Sequence, residues 1–292
     1  MENVIEQLIN GLRTGSIYAL IALGYTMVYG IAKMINFAHG DIIMVGAYAL
    51  YVFVVRLKMP VSVAVLLTIV ICALLGITIE RIAYKPLRKA PALAVLITAI
   101  GVSFFLQNAA LLIFSANPRP FASIVKMKPV KIGSIEIAGI TIVTLLVTLV
   151  TMIILTLFIN KTKAGSAMRA VSEDKGAAQL MGINVNKTIS LTFAIGSALA
   201  AIAGILFISQ YQSVNPSLGA IPGIKAFVAA VLGGIGSVPG AMLGGIILGI
   251  IESISKAYIS SELADAIVFG VLILVLLLKP SGLLGKKRIE KV

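Results

Sequence analysis

Charge is what this 292-residue chain has least of. Only 12% of its residues are Asp, Glu, Lys or Arg, 59% are hydrophobic, and the mean hydropathy is +1.08. A soluble domain carries about 25% charged and about 45–50% apolar residues. Too few charges remain to cover a water-facing surface of this size. An ordinary soluble enzyme and a disordered chain are therefore excluded, and an all-α, polytopic membrane bundle is expected. A membrane helix takes about 20 apolar residues plus a connection, so the length allows about eight to ten segments and no sizeable soluble domain.

Chemistry-bearing residues are equally scarce. The single cysteine, Cys72, sits in the apolar run 61–79, forms no intramolecular disulfide and reads as a small packing residue. A single histidine, His39, excludes a multi-histidine metal site. No G-x-x-x-x-G-K-[ST] phosphate loop, no Gly-rich turn opening a dinucleotide fold and no G-x-S-x-G elbow is present. No cofactor is expected on this chain, and catalytic clusters are missing. Acidic residues within the apolar runs are nearly absent, with Asp41 at a helix start and Glu252 near a helix end. Transporters driven by protons or sodium carry ionisable groups in mid-membrane, so this scarcity argues against self-powered transport. The opening residues MENVIEQLINGLRTG lack the basic and short apolar regions of a cleavable signal, and insertion is expected to rely on the first hydrophobic span.

What is present is patterned. The runs 15–35, 42–55, 60–79, 92–114, 140–159, 189–208, 223–236, 239–257 and 263–278 read as membrane segments, with a short amphipathic helix over 2–13 ahead of them. Residues 130–137 alternate and read as a small hairpin. The net charge of +13 is a topology signal rather than a nucleic-acid footprint, because no stretch interleaves basic and aromatic residues. With nine segments, 15 basic residues fall on one face and 9 on the other. That bias places the N-terminus outside and the C-terminus, with its basic tail, in the cytoplasm. Gly236, Pro239, Gly240 and Gly244 mark a break followed by a close-packing or hinge face. Residues 224–236 reach only about 20 Å as a helix, so this piece is expected to be broken or re-entrant.

The cytoplasmic segment 161–187, KTKAGSAMRAVSEDKGAAQLMGINVNK, is too patterned for a simple loop. Ser166 can cap a first short helix and Ser172 a second, with Gly182 as its stop. From the residues alone two readings stand: a docking surface for a partner, or an interfacial helix pair lying on headgroups.

Three stretches occur in order along nearly the whole chain: GSIYALIALGYTMVYGIAKMINFAHGD (15–41), GSAMRAVSEDKGAAQLMGIN (165–184), and KAFVAAVLGGIGSVPGAMLGGIILGIIE (225–252) with KPSGLLG (279–285). Together they resemble the branched-chain amino acid permeases of ATP-binding-cassette importers, of the shorter type that pairs with a second, paralogous permease. The resemblance implies a bacterial-type inner-membrane importer with two cytoplasmic ATP-binding subunits, which use the ATP, and an extracytoplasmic solute-binding protein. It implies that Gly165, Arg169, Glu173, Asp174, Ala177, Ala178 and Gly182 dock on an ATPase subunit, pushing spans five and six. Without docking, Arg169 and Glu173 would form an i, i+4 surface pair. Asn36 and His39, with Asp41, stand at the turn between the first two spans, either capping the second helix or forming an inner gate. Gln107 and Asn108 either bond between helices or line the path with Ser103. Urea and short-amide permeases share the family, and a passive facilitator is the reading from a different class.

Overall fold

The computed structural model describes residues 2–132 and 135–285. The tail residues Lys286, Lys287, Arg288 and Lys291, and the hairpin tip at 133–134, lie outside them.

The bundle is built on one long axis. α1 (Glu2–Ala32) is a single helix rather than a short amphipathic piece followed by a span. Nothing in its sequence breaks it, and glycines along one side fix it to α10 (Val238–Tyr258). A Cβ on Gly249 would stand 2.2 Å from the Gly15 nitrogen, and one on Gly11 would stand 2.7 Å from the Ile250 Cα. Within a membrane no hydrophobic drive separates helix from lipid, so this backbone-to-backbone contact supplies the packing.

α8 (Val185–Tyr211), α5 (Gly139–Lys161) and α2 (His39–Tyr51) pack on α1, while α3 (Val61–Ile79) packs on α8 and α2, and α4 (Ala92–Phe114) on α2. The short α6 (Lys163–Glu173) and α7 (Lys175–Leu180) join α5 to α8. α9 (Ala220–Gly233) precedes α10, and α11 (Ala264–Leu278) follows it. Among the described residues seven helices are long and apolar enough to cross a membrane, and α9 and α11 are shorter apolar helices. π turns extend α2 over Val52–Arg56 and α3 over Glu80–Tyr84. Four short strands lie at the end opposite α6 and α7. β1 (Arg119–Pro120) pairs with β4 (Ser213–Val214), and β2 (Val130–Ile132) forms a hairpin with β3 (Ile135–Ile137).

Two segments turn back into the bundle. His39 packs on Gly24, which is eight residues, or about 12 Å, before the end of α1. From the opposite end, the loop after β4 returns to start α9 beside the start of α2. A Cβ on Gly219 would stand 1.8 Å from the Gly40 carbonyl oxygen, so only glycine permits this crossing. Two helix starts therefore meet inside the bundle.

The glycine series divides by face. Gly240 and Gly244 press on Gly233 and Ala229 of α9, whereas Gly245 and Gly249 press on α1. Gly236 is not part of that ladder. It lies in the turn before α10 with φ +99° and nothing within 4 Å of a Cβ position. Ser237 caps α10 by accepting from the Gly240 N–H at 3.1 Å, with Pro239 in the first turn. The KPSGLLG stretch folds back under α9. The N–H groups of Leu283 and Leu284 donate to the carbonyls of Leu232 and Gly233 at 2.8 and 2.9 Å.

Candidate translocation path and coupling surface

The polar groups expected along the path divide into two sets. Asn36 is buried and its Oδ1 accepts from the Tyr84 hydroxyl at 2.9 Å, tying the 33–38 turn to the end of α3. His39 does not cap α2. Ala38 holds the cap position and no side chain caps it, and Asp41 points instead toward α4. The His39 ring stands edge-on to Tyr25 at 4.7 Å, and its Nε2 is buried with no hydrogen-bond partner among the described residues. The histidine is therefore inside the bundle rather than at its mouth. Gln107 Nε2 donates to Asp41 Oδ1 at 2.8 Å and to Ser103 Oγ at 3.3 Å, joining α4 to α2. Asn108 is not with them. It is exposed on the adjacent face and donates to its own helix at the Phe104 carbonyl, 2.8 Å away.

Two ionic clusters were not legible as such. Glu80, which ends the third apolar run, is fully buried; it receives Arg88, and Ser190 Oγ at 2.5 Å, while Arg88 also reaches Asn186. This ties the basic loop to the start of α8. Lys225, one of the nine basic residues on the less basic face, is buried between Glu252 at 2.9 Å and Asp265 at 2.6 Å. Tyr18 donates to the second Glu252 oxygen at 2.7 Å, and Lys256 pairs with the first. The signal available was an ionisable residue alone in an apolar stretch, which in a membrane requires a partner on another stretch.

The coupling segment forms a helix pair with caps other than those expected. Thr162 caps α6, its Oγ1 accepting from the Gly165 N–H at 3.0 Å. Ser166 lies within α6, and Ser172 donates to the Arg169 carbonyl at 2.7 Å. Asp174 caps α7, accepting from Gly176 and Ala177 at 2.7 and 2.9 Å. The carboxylate also meets the positive end of the helix dipole. Gly182, at φ +82°, ends α7 as expected, with the Ile183 N–H returning to the Ala178 carbonyl at 3.0 Å.

Burial then sorts the docking residues. Gly165 and Ala178 are buried, and a Cβ on Gly165 would stand 2.3 Å from the Ile159 carbonyl oxygen, so Gly165 sets the α5–α6 turn. Arg169, Glu173, Asp174, Ala177 and Gly182 are exposed. Arg169 holds the Ile159 carbonyl and Ser166 Oγ, and among the described residues it makes no ion pair with Glu173. A cleft of about 740 Å³ opens between α6 and α7, lined in part by Ala167, Glu173, Asp174, Ala177 and Met181. Leu180 and Met181 stand beside it at 91% and 82% exposure. Lys175 reaches from α7 to the Ala32 carbonyl at the end of α1, 2.9 Å away. Its burial, and then Arg88 nearby, lower the ammonium pKa from its ordinary value.

The family model for the branched-chain amino acid transport system permease component matches residues 7–276. The chain belongs to this family. It is a multi-pass membrane permease, and several relatives match it along nearly their full length. The branched-chain amino acid permease BraD of Pseudomonas aeruginosa is 45% identical, with 99% of this chain and 98% of the relative covered. LivH of Escherichia coli is 46% identical, covering 99% and 97%. The probable LivH of Methanocaldococcus jannaschii is 30% identical, covering 92% and 89%. Among the described residues the permease gathers polar groups at the α2–α4 contact, the Glu80–Arg88 cluster, the Lys225 cluster and the α6–α7 surface.

Proposed function

We propose that this permease is the membrane-spanning subunit of an ATP-driven importer that carries branched-chain amino acids into the cytoplasm. The observation that carries the reading is the identity of about 45% along essentially the full length of two permeases named for that substrate class. It favours the amino-acid reading over urea, short amides or a passive facilitator. The chain pairs with a paralogous permease and with two ATP-binding subunits in the bacterial inner membrane, and it receives solute from an extracytoplasmic binding protein. Its N-terminus lies outside and its C-terminus in the cytoplasm. The basic-residue bias supports this, as does the grouping of the end of α1, the α6–α7 pair and the 279–285 stretch at one end of the bundle.

ATP-driven closure of the ATPase dimer acts on the cleft between α6 and α7. Exposed Leu180 and Met181 supply the apolar contact, and Glu173 and Asp174 the charge. A docking surface is favoured over a pair of interfacial helices, because Gly165, Met168 and Val171 bury the apolar face of α6 against the bundle and the exposed Leu180 and Met181 stand at the end of α7 beside a charged cleft. The test is uptake of labelled leucine by vesicles holding the complete transporter. Isoleucine and valine are expected to compete and acetamide and urea to fail; the reverse order would overturn the substrate. In the same vesicles, Leu180→Asp with Met181→Asp is expected to release the ATPase subunits without loss of the permease from the membrane. Unchanged co-purification would overturn the docking surface.

A further inference from the structure

At the end of the bundle opposite α6 and α7, a cleft of about 310 Å³ lies between α2, α3 and α4. Met44, Tyr48, Val52, Leu106, Ala110 and Phe114 are among its walls, and every lining residue except Tyr48 is wholly apolar. Two further lining residues, Ile71 and Ile113, are 40% and 66% exposed, so the cleft opens sideways, the direction from which lipid arrives. Tyr48 is 4% exposed, yet among the described residues its hydroxyl has no hydrogen-bond partner. A buried hydroxyl without a partner is costly and suits a ligand that brings an acceptor.

The mouth is cationic. The Arg56 guanidinium stands over the Phe114 ring, 5.4 Å from its centroid, and Phe114 in turn stacks on Tyr48 at 4.1 Å. Arg119 wraps the Phe114 carbonyl with two bonds of 3.0 and 2.7 Å. Neither arginine takes part in an ion pair among the described residues. The π turn Val52–Arg56 shifts the helical register just before Arg56. An apolar slot beneath two uncompensated guanidiniums matches an amphiphile with an apolar tail and an anionic head.

We propose that this cleft binds one anionic phospholipid, its acyl chain in the slot and its phosphate at Arg56 and Arg119. An arginine presents several donors to phosphate oxygens in fixed geometry, and Tyr48 offers its hydroxyl to an ester oxygen. The lipid also holds α4 against α2, keeping Gln107 in register with Asp41.

The test is native mass spectrometry of the intact transporter purified in mild detergent, with phosphatidylglycerol and phosphatidylcholine of matched chains as probes. One phosphatidylglycerol per permease is expected to remain bound, and equimolar phosphatidylcholine to fail to displace it. Arg56→Gln, on an exposed side chain, is expected to weaken retention roughly fivefold, the effect of about one surface charge. Ala110→Phe, which fills the slot, is expected to abolish it, and Arg56→Lys to recover part of it. Equal retention of the two lipids, or unchanged retention in Arg56→Gln, would overturn the proposal. So would an Arg56→Gln variant that keeps its lipid but loses stimulation by a solute-binding protein, since the arginines would then face that protein.

Discussion

Replacing Lys225 by methionine isolates the most heavily charged buried site. The ammonium bridges Glu252 and Asp265, on α10 and α11, at 2.9 and 2.6 Å, and its side chain is 4% exposed. Methionine keeps the apolar stem and removes the charge. Asp265, at 45% exposure, can rehydrate, whereas Glu252, at 3%, cannot. Removing one partner of a buried pair costs about 3–5 kcal/mol, most of it from the charge left behind. Glu252 retains the Tyr18 hydroxyl and Lys256, so the loss is expected near the lower end, about 3 kcal/mol. Adding Glu252→Gln removes the stranded charge. The double variant should therefore cost less than the two single losses together, with a coupling of about 1–3 kcal/mol. Reversible unfolding of the purified permease in mixed micelles measures all three variants. A loss below about 1 kcal/mol for Lys225→Met, or strict additivity, would refute the electrostatic reasoning, because an exposed pair behaves in that way.

Two further outcomes follow from the packing and the coupling contact. Lys175→Met removes the bond to the Ala32 carbonyl, and leucine uptake per ATP hydrolysed is expected to fall while the ATPase subunits still co-purify; an unchanged ratio would place transmission wholly in α5 and α8. Gly249→Ala drives a methyl to within 2.2 Å of the Gly15 backbone and is expected to cost about 1–3 kcal/mol or more. Gly101→Ala, with nothing within 4 Å, should cost far less in the same unfolding assay.

The sequence carried the architecture because a membrane imposes its own periodicity. Runs such as 92–114 and 140–159 coincide with α4 and α5 almost to the residue, since lipid-facing helices need only length and apolarity. The α6–α7 pair was legible in outline, but its caps were not. Ser166, Ser172, Thr162 and Asp174 are all competent cap residues, and the choice depends on where α5 stops and Gly165 lets the chain turn. The polarity of the 36–41 stretch points to a mouth for His39, which the fold does not follow. That the 33–38 turn re-enters the bundle depends on Gly24, Gly40 and Gly219, whose contacts are distant in sequence. Gln107 and Asn108 are neighbours of one type with opposite fates, since successive residues lie on different faces of α4. Lys225 and Glu80 were hidden by the same locality: Lys225 meets Glu252 and Asp265 of two other helices, and Glu80 meets Arg88 of the following loop and Ser190 of α8.

The fold-back of Leu283 and Leu284 onto the end of α9 has a consequence for biogenesis. Those two N–H groups satisfy the carbonyls of Leu232 and Gly233, both at buried positions, and an unsatisfied carbonyl in an apolar setting is expensive. The donors follow α9 in the chain by the whole of α10 and α11. The end of α9 therefore finds these donors only once α10 and α11 have been made. Closing the end of α9 thus depends on a backbone clasp from the 279–285 stretch rather than on a further hydrophobic span. Chains stalled before it should be the ones that membrane proteases recognise.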